Sequence, residues 1–185
     1  MARRLRASAQ ALAPSTSSPA DDRKARIASE EELFAYVAQK FGVRIPNTQV
    51  CAGHSTPARA FADAYFARNS VSVWKASRGF GGKSFLLSTL ALTEATTLHA
   101  DISVLGGSGE QAGRILESTG KLWAYPTAPR EQLLSEPAKR ETSFRAGNKL
   151  RALMASTRSA RGPHPQRLRI DEADEMTVTL LDAAM

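Results

Sequence analysis

Cysteine is nearly absent from this 185-residue chain, and long apolar runs are absent altogether. The single cysteine, Cys51, excludes an internal disulfide framework. No stretch approaches the ~18 consecutive apolar residues that a membrane-spanning helix needs. The arginines near the N-terminus are not followed by the apolar segment of a secretory signal. Together these absences predict a cytoplasmic protein with no membrane partner.

Basic residues are in excess and are concentrated in two segments. The formal net charge is +7; residues 1–28 hold six basic and two acidic residues, and residues 139–169 hold nine basic residues and one acidic residue. Because a positive surface attracts polyanions, the second segment is a candidate face for nucleic-acid phosphates, with an ordinary solvated surface as the alternative. We expect residues 1–28 to form a disordered basic tail and residues 29–185 to form one domain.

Helical and strand patterns alternate along the predicted domain. Ser29 and Glu32 form a capping-box pattern that begins the first helix, and Gly42 ends that helix. This alternation predicts an α/β fold with a mostly parallel sheet covered by helices on both faces. The other predicted helices cover residues 56–68, 84–97 and 109–119, and the predicted strands cover residues 71–76, 101–105, 142–146, 149–155 and 167–170, with a hairpin at Gly147-Asn148.

A glycine-rich segment lies between the predicted strand 71–76 and the predicted helix 84–97. Its end, Gly82-Lys83-Ser84, matches the P-loop pattern, although Ser77 stands where that pattern begins with glycine. Small residues let the backbone N–H groups surround a phosphate, the lysine binds the β- and γ-phosphates, and the hydroxyl binds Mg²⁺. The alternative is a flexible exposed turn. The segment predicts ATP and Mg²⁺ as ligands, with nucleotide contacts from Ser77, Arg78, Gly79, Phe80, Gly81, Gly82, Lys83 and Ser84.

An adjacent acidic pair, Asp171-Glu172, follows the predicted strand 167–170. Ligands of open α/β sheets bind at the carboxyl ends of the strands. Asp171 is therefore predicted to hold Mg²⁺ beside Ser84, and Glu172 to orient and deprotonate the attacking water. The alternative is a pair of helix-terminal charges, which is our interpretation of Asp174 and Glu175. The predicted catalytic residues are Glu172, Lys83 and Arg78, whose guanidinium can stabilise γ-phosphate charge or simply face solvent.

Taken together, these motifs resemble the ATPase half of the large terminase subunit of tailed bacteriophages, the motor that packages viral DNA. The resemblance implies a RecA-like P-loop NTPase that hydrolyses ATP, with Arg78 at the γ-phosphate and residues 50–57 near the adenine. It covers roughly residues 30–180 and is carried by Val50–Pro57, Phe61–Phe66, Lys75–Ser84, Val104–Ala112 and Ile170–Met176.

The same resemblance implies binding partners and indicates which part of the family's protein residues 29–185 correspond to. Expected partners are the backbone of double-stranded DNA, the portal protein and the small terminase subunit, with a homo-oligomeric ring for the full-length protein in the host cytoplasm. The family continues into a nuclease domain, so we expect residues 29–185 to be a partial ATPase domain that does not cleave DNA. Two alternatives stay open: a helicase-like ATPase, since residues 171–174 read Asp-Glu-Ala-Asp, and a non-catalytic nucleotide- or DNA-binding remnant.

Overall fold

A computed structural model describes residues 26–76, 82–153, 156 and 165–184, so most of the predicted tail lies outside the described residues. The helices are α1 (Glu30–Phe41), α2 (Pro57–Tyr65), α3 (Lys83–Thr97), α4 (Gly109–Trp123) and α5 (Val178–Ala184). The strands are β1 (Ile102–Leu105), β2 (Glu141–Ser143), β3 (Lys149–Leu153) and β4 (Arg167–Ile170). Two 3₁₀ turns span Arg130–Gln132 and Ala173–Glu175.

The strands form one four-stranded sheet in the order β2-β3-β1-β4. Strand β1 runs parallel to both β3 and β4, whereas β2 and β3 form the predicted antiparallel hairpin. This confirms a mixed α/β fold with a mostly parallel sheet flanked by helices. Leu105 lies opposite Ile170 in the register of β1 and β4, so the residues that follow these two strands emerge at one edge of the sheet.

Local signals at helix ends were predicted well. Ser29 Oγ accepts a hydrogen bond from Glu32 N (3.1 Å), and Glu32 Oε2 accepts one from Ser29 N (3.3 Å), which confirms the capping box. Gly42 ends α1 at φ 66°, in the left-handed region. Helix α4 runs to Trp123 rather than 119, because Leu122 and Trp123 are buried in the core and tertiary packing extends the helix.

The predicted strand at residues 71–76 is wrong. These residues have no strand assignment, and the side chains of Val71 and Val73 are 68% and 86% exposed, while Trp74 packs against the core. β-Branched residues favour an extended backbone, which explains the prediction. A strand also needs a neighbour for its N–H and C=O groups, and none of the described strands pairs with this segment.

Helix α3 lies at the centre of the molecule. Its residues from Leu87 to Thr96 are all buried. One side contacts the sheet through residues such as Val104, and the other contacts α1 and α2 through residues such as Leu33 and Phe61. Its hydroxyl groups donate to backbone carbonyls four residues earlier in the helix, which satisfies them inside the core; they belong to Ser88, Thr89, Thr93, Thr96 and Thr97.

A partly buried ion pair joins α3 to β4. The register places Arg167 and Arg169 on the same face of the sheet as Val104, which faces α3. Glu94 of α3 is fully buried and accepts hydrogen bonds from Nε and Nη2 of Arg169, with Arg167 Nε 3.8 Å away. Burial raises the pKa of the Glu94 carboxyl, and the charge of Arg169 opposes that shift. The pair therefore holds α3 and β4 together at a point inside the core.

Replacing Arg169 with alanine is expected to lower the free energy of unfolding by about 3–5 kcal/mol, because the Glu94 carboxylate is left buried without its nearest cation. The loss should be smaller near pH 4.5, the ordinary pKa of Glu94, than at neutral pH. The pKa of Glu94 is higher in the folded state than in the unfolded state. Protonated Glu94 therefore stabilises the fold at pH values below its unfolded-state pKa, and this stabilisation is lost as the pH rises through its folded-state pKa. Urea unfolding at both pH values measures the change.

The matched control is Arg114→Ala, which removes an exposed ion pair with Glu110. Its expected effect is below about 1 kcal/mol. Equal losses in the two variants would contradict the structural role of Arg169.

Candidate active site at the carboxyl edge of the sheet

The predicted metal ligands meet at the end of β4. Ser84 Oγ donates a 2.8 Å hydrogen bond to Asp171 Oδ2, across 87 positions of sequence. Asp171 is itself held at the sheet edge, because its backbone N–H donates to the carbonyl of Leu105 (2.9 Å). A serine hydroxyl and a carboxylate are both hard oxygen ligands of the kind that Mg²⁺ prefers. The structure thus brings Ser84 and Asp171 together, while their role as ligands stays a prediction.

Lys83 and Gly82 form the start of α3 at this edge. Gly82 adopts φ 58°, a left-handed conformation that favours glycine, and it contributes no side-chain cap to the helix. Lys83 Nζ donates a 2.8 Å hydrogen bond to the carbonyl of Ala76, on the other side of the glycine-rich segment. Ser77, Arg78, Gly79, Phe80 and Gly81 lie outside the described residues, so the structure bears only on the last three predicted nucleotide contacts.

The beginning of α3 differs from those of the other long helices because its N-cap residue, Gly82, provides no side-chain cap. Ser29, Thr56 and Ser108 cap α1, α2 and α4 through side-chain oxygens that accept backbone N–H groups. The first N–H groups of a helix have no partner within the helix, and with the helix dipole they favour an anion. Together with Lys83, the start of α3 therefore has the donors that a phosphate requires.

The second acid of the pair, Glu172, contacts a different helix. Its backbone is left-handed, with φ 56° and ψ 47°, which is uncommon for a residue with a side chain. Gln111 of α4 donates from Nε2 to Glu172 Oε2 and, at 3.1 Å, to Glu175 Oε2. Asp171 is thus hydrogen-bonded to Ser84 of α3, and Glu172 is hydrogen-bonded to Gln111 of α4. Asp174 and Glu175 both lie in the first turn of the next helical element, as predicted, and that element is the 3₁₀ turn Ala173–Glu175 rather than an α-helix.

Gln111 was not among the predicted site residues. The signal for it is positional: it is a polar residue in the first turn of the helix that follows β1, and β1 is the parallel neighbour of β4. Two glycines make its position possible. A Cβ at Gly106 would lie 2.5 Å from the backbone nitrogen of Ala112, and a Cβ at Gly107 would lie 2.8 Å from Gln111 Oε1. Helix α4 can therefore begin directly against the end of β1.

A magnesium ion fits this donor set better than a metal that needs a protein cage. Among the residues that the structure describes, no group of three or more His, Cys, Asp and Glu side chains is arranged to hold a metal. Mg²⁺ is ordinarily bound by one or two protein oxygens and completes its shell with water and substrate phosphates. In the predicted site, two such oxygens would be those of Ser84 and Asp171, which the structure brings together.

The basic segment 139–169 contributes fewer surface charges than its sequence suggests. Arg167 and Arg169 are half-buried and face the buried Glu94. Lys149 and Arg151 both form ion pairs with Glu141, at 2.7 and 3.1 Å. Arg158 and Arg161 lie outside the described residues, and Lys139, Arg140 and Arg145 are exposed.

Two other surface features are a groove and the exposed segment 50–57. A groove of about 610 Å³ is lined by Trp123, Leu133 and Leu134, at the end of α4 and roughly 18 Å along the helix from Gln111. Residues 50–57, predicted to lie near the adenine, are mostly exposed, with Val50 at 89%. Neither feature contacts the acidic pair through a described hydrogen bond or ion pair.

Comparison with known proteins adds no relative. No protein-family model, curated protein or solved structure matches this chain. None of the described helices combines the length and apolar character needed to cross a lipid bilayer.

Replacing Gly106 with alanine is expected to lower the free energy of unfolding by about 1–3 kcal/mol, because the new methyl group would overlap the backbone of Ala112 and displace the start of α4. The matched control is Gly113→Ala in α4, where a new Cβ meets nothing within 4 Å. That change should stabilise the helix by about 0.5–1 kcal/mol. Thermal and urea unfolding measure both variants, and a neutral Gly106→Ala would contradict the close approach.

Proposed function

We propose that this chain binds ATP with Mg²⁺ and hydrolyses it, as the ATPase portion of a viral double-stranded DNA packaging motor with a RecA-like P-loop fold. The observation that carries the proposal is the 2.8 Å hydrogen bond between Ser84 Oγ and Asp171 Oδ2. It joins the end of the glycine-rich segment to the first acid after β4, and these are the two parts from which P-loop ATPases build their site.

Phosphate binding is assigned to the start of α3. The ammonium group of Lys83 contacts the carbonyl of Ala76 in the structure, and we expect it to exchange this acceptor for phosphate oxygens. A charged acceptor forms the stronger hydrogen bond, so the exchange is favourable. The N–H groups that follow Gly82 add donors aimed at the same anion. Arg78 retains its predicted role at the γ-phosphate.

The metal site is assigned to the oxygens of Ser84 and Asp171. Bound Mg²⁺ supplies charge neutralisation at the β- and γ-phosphates. The protein's contribution is positional: α3 is buried from Leu87 to Thr96, and β4 lies in the sheet, so the elements that carry the two oxygens are anchored in the core. Rigid presentation matters because phosphoryl transfer depends mainly on positioning and charge stabilisation.

Hydrolysis requires a base beside the attacking water, and Glu172 is the residue we assign. The water oxygen attacks the γ-phosphorus, its proton passes to the Glu172 carboxylate, and the bond to the ADP oxygen breaks. Products are ADP and inorganic phosphate. Glu172 is suited to this role because it follows Asp171 directly yet is bonded to α4 rather than to the metal-side serine.

The assignment to a packaging motor rests on the order of the motifs and on exposed basic residues. Lys139 and Arg140 precede β2, and the carbonyl of Arg140 accepts a hydrogen bond from Ala152 N (2.9 Å) near the carboxyl end of β3. This basic pair is therefore at the same edge of the sheet as the proposed nucleotide site. Contacts to DNA phosphates there would be strong at low salt and independent of sequence.

Two substitutions separate binding from chemistry. Lys83→Ala is expected to weaken ATP binding by ~10-fold or more and to abolish turnover, because a charge-assisted phosphate contact is lost. Glu172→Gln is expected to bind ATP normally but to lower kcat by about 10²- to 10⁴-fold, because the amide cannot accept the proton of water. Nucleotide titration and phosphate release, with and without duplex DNA, measure both effects.

The control substitutions make the same charge changes elsewhere. Lys121→Ala and Glu117→Gln alter exposed residues of α4 and should leave both measurements unchanged. Wild-type turnover in Lys83→Ala and Glu172→Gln would refute the site. Binding of ATP without turnover by the unaltered chain would instead favour a non-catalytic nucleotide-binding module.

A further inference from the structure

The side-chain amide of Gln111 joins α4 to the acids that follow β4. Gln111 Nε2 donates to Glu172 Oε2 and to Glu175 Oε2, the second at 3.1 Å. A primary amide carries two N–H donors, so one nitrogen can serve both carboxylates. The three side chains therefore form one cluster at the edge of the sheet, beside the Ser84–Asp171 contact.

The orientation of this amide is set by the acids. Gln111 Oε1 is buried, and no residue in the described part of the chain donates a hydrogen bond to it. A rotated amide would aim its oxygen at the carboxylates of Glu172 and Glu175, and two groups of acceptors would then face each other without a proton between them. In the observed orientation Gln111 Oε1 has no hydrogen-bond donor among the described residues, while Nε2 donates to both Glu172 and Glu175.

The left-handed backbone of Glu172 accompanies the different directions of the two acids, since Asp171 contacts Ser84 and Glu172 contacts Gln111. Its left-handed conformation is costly for a residue with a side chain and needs support from its surroundings. Gln111 is one such support. Gly107 makes room for it, because a Cβ there would lie 2.8 Å from Gln111 Oε1 and 3.2 Å from the Cβ of Glu175.

We propose that Gln111 is a positioning residue that holds the Glu172 carboxylate for its role in ATP hydrolysis, with Glu175 as a second acceptor on the same amide. This inference rests on the proposed ATPase function. The contact occupies Oε2 of Glu172, and Oε1 is the oxygen that we assign to the attacking water. Gln111 therefore affects turnover through Glu172 and has no expected contact with the nucleotide.

The first test is Gln111→Met in the full chain, because methionine has a similar length and carries no N–H donor. The kcat for ATP hydrolysis should fall about 10- to 100-fold, since a carboxylate displaced by about an ångström reacts more slowly. The KM and the Kd for ATP should change less than about threefold, because phosphate and metal contacts are unaltered. Gln39→Met, an exposed change on α1, is the matched control and should leave kcat unchanged.

The second test exchanges the amide and an acid between two positions. Gln111→Glu adds a third carboxylate to the cluster and should lower kcat at least as much as Gln111→Met. The double variant Gln111→Glu/Glu175→Gln restores the charge of the cluster and returns an amide donor to it, and kcat should recover about tenfold or more over the single variant. A packing role alone would leave the double variant no faster than Gln111→Glu.

The outcomes separate this inference from the proposed function. A normal kcat in Gln111→Met, or a fall in kcat that is matched by an equal rise in KM, overturns the positioning role. The side-chain amide resonances of Gln111, assigned by their loss in Gln111→Met, must shift in Glu172→Gln, and unchanged resonances overturn the contact whether or not ATP is hydrolysed. A stable unaltered chain without turnover overturns the proposed ATPase function itself.

Discussion

The hydrogen bond between Ser84 and Asp171 is the contact on which the candidate site depends, because it connects two elements that are remote in sequence. Ser84 is the second residue of α3, and Asp171 is the first residue after β4. Either side chain alone is an ordinary surface group. They are held together at the carboxyl edge of a mostly parallel sheet, where open α/β sheets bind their ligands, and they are the pair that we propose as Mg²⁺ ligands.

The rest of the fold keeps these two residues in place. Helix α3 is buried from Leu87 to Thr96, against the sheet on one side and against α1 and α2 on the other, and this anchors the helix that carries Ser84. The Glu94–Arg169 pair attaches the same helix to the same strand inside the core. On the opposite face, Leu180 of α5 packs with Leu105 and contacts the apolar side chains of β4.

Local chemistry made much of this structure predictable from sequence. The capping box at Ser29, the left-handed Gly42 and the hairpin at Gly147 depend on neighbouring residues, and all three predictions are confirmed. The same holds for β4 and for the start of α3, which is why Ser84 and Asp171 could be chosen in advance. Their contact followed from a rule about sheet edges rather than from spacing in the chain.

The predictions that were wrong or absent depend on tertiary neighbours. Val71 and Val73 have the residue types of a strand but no strand partner among the described residues. Arg169 belongs to a basic segment in the sequence, yet its partner Glu94 lies 75 positions away in a buried helix. Gln111 lies within the stretch Val104–Ala112 but was given no role from the sequence, and its contact with Glu172 exists because β1 and β4 are parallel neighbours. Pairings of this kind become visible only in three dimensions.

The measurement that bears most directly on the central contact is a double-mutant cycle between Ser84→Ala and Asp171→Ala, read out as the Mg²⁺-dependent affinity for a non-hydrolysable ATP analogue by calorimetry. If both oxygens hold one ion, the second substitution should cost much less after the first, with a coupling of about 1 kcal/mol or more. Fully additive effects, or an affinity that neither substitution changes, would contradict a shared metal and nucleotide site at the end of β4.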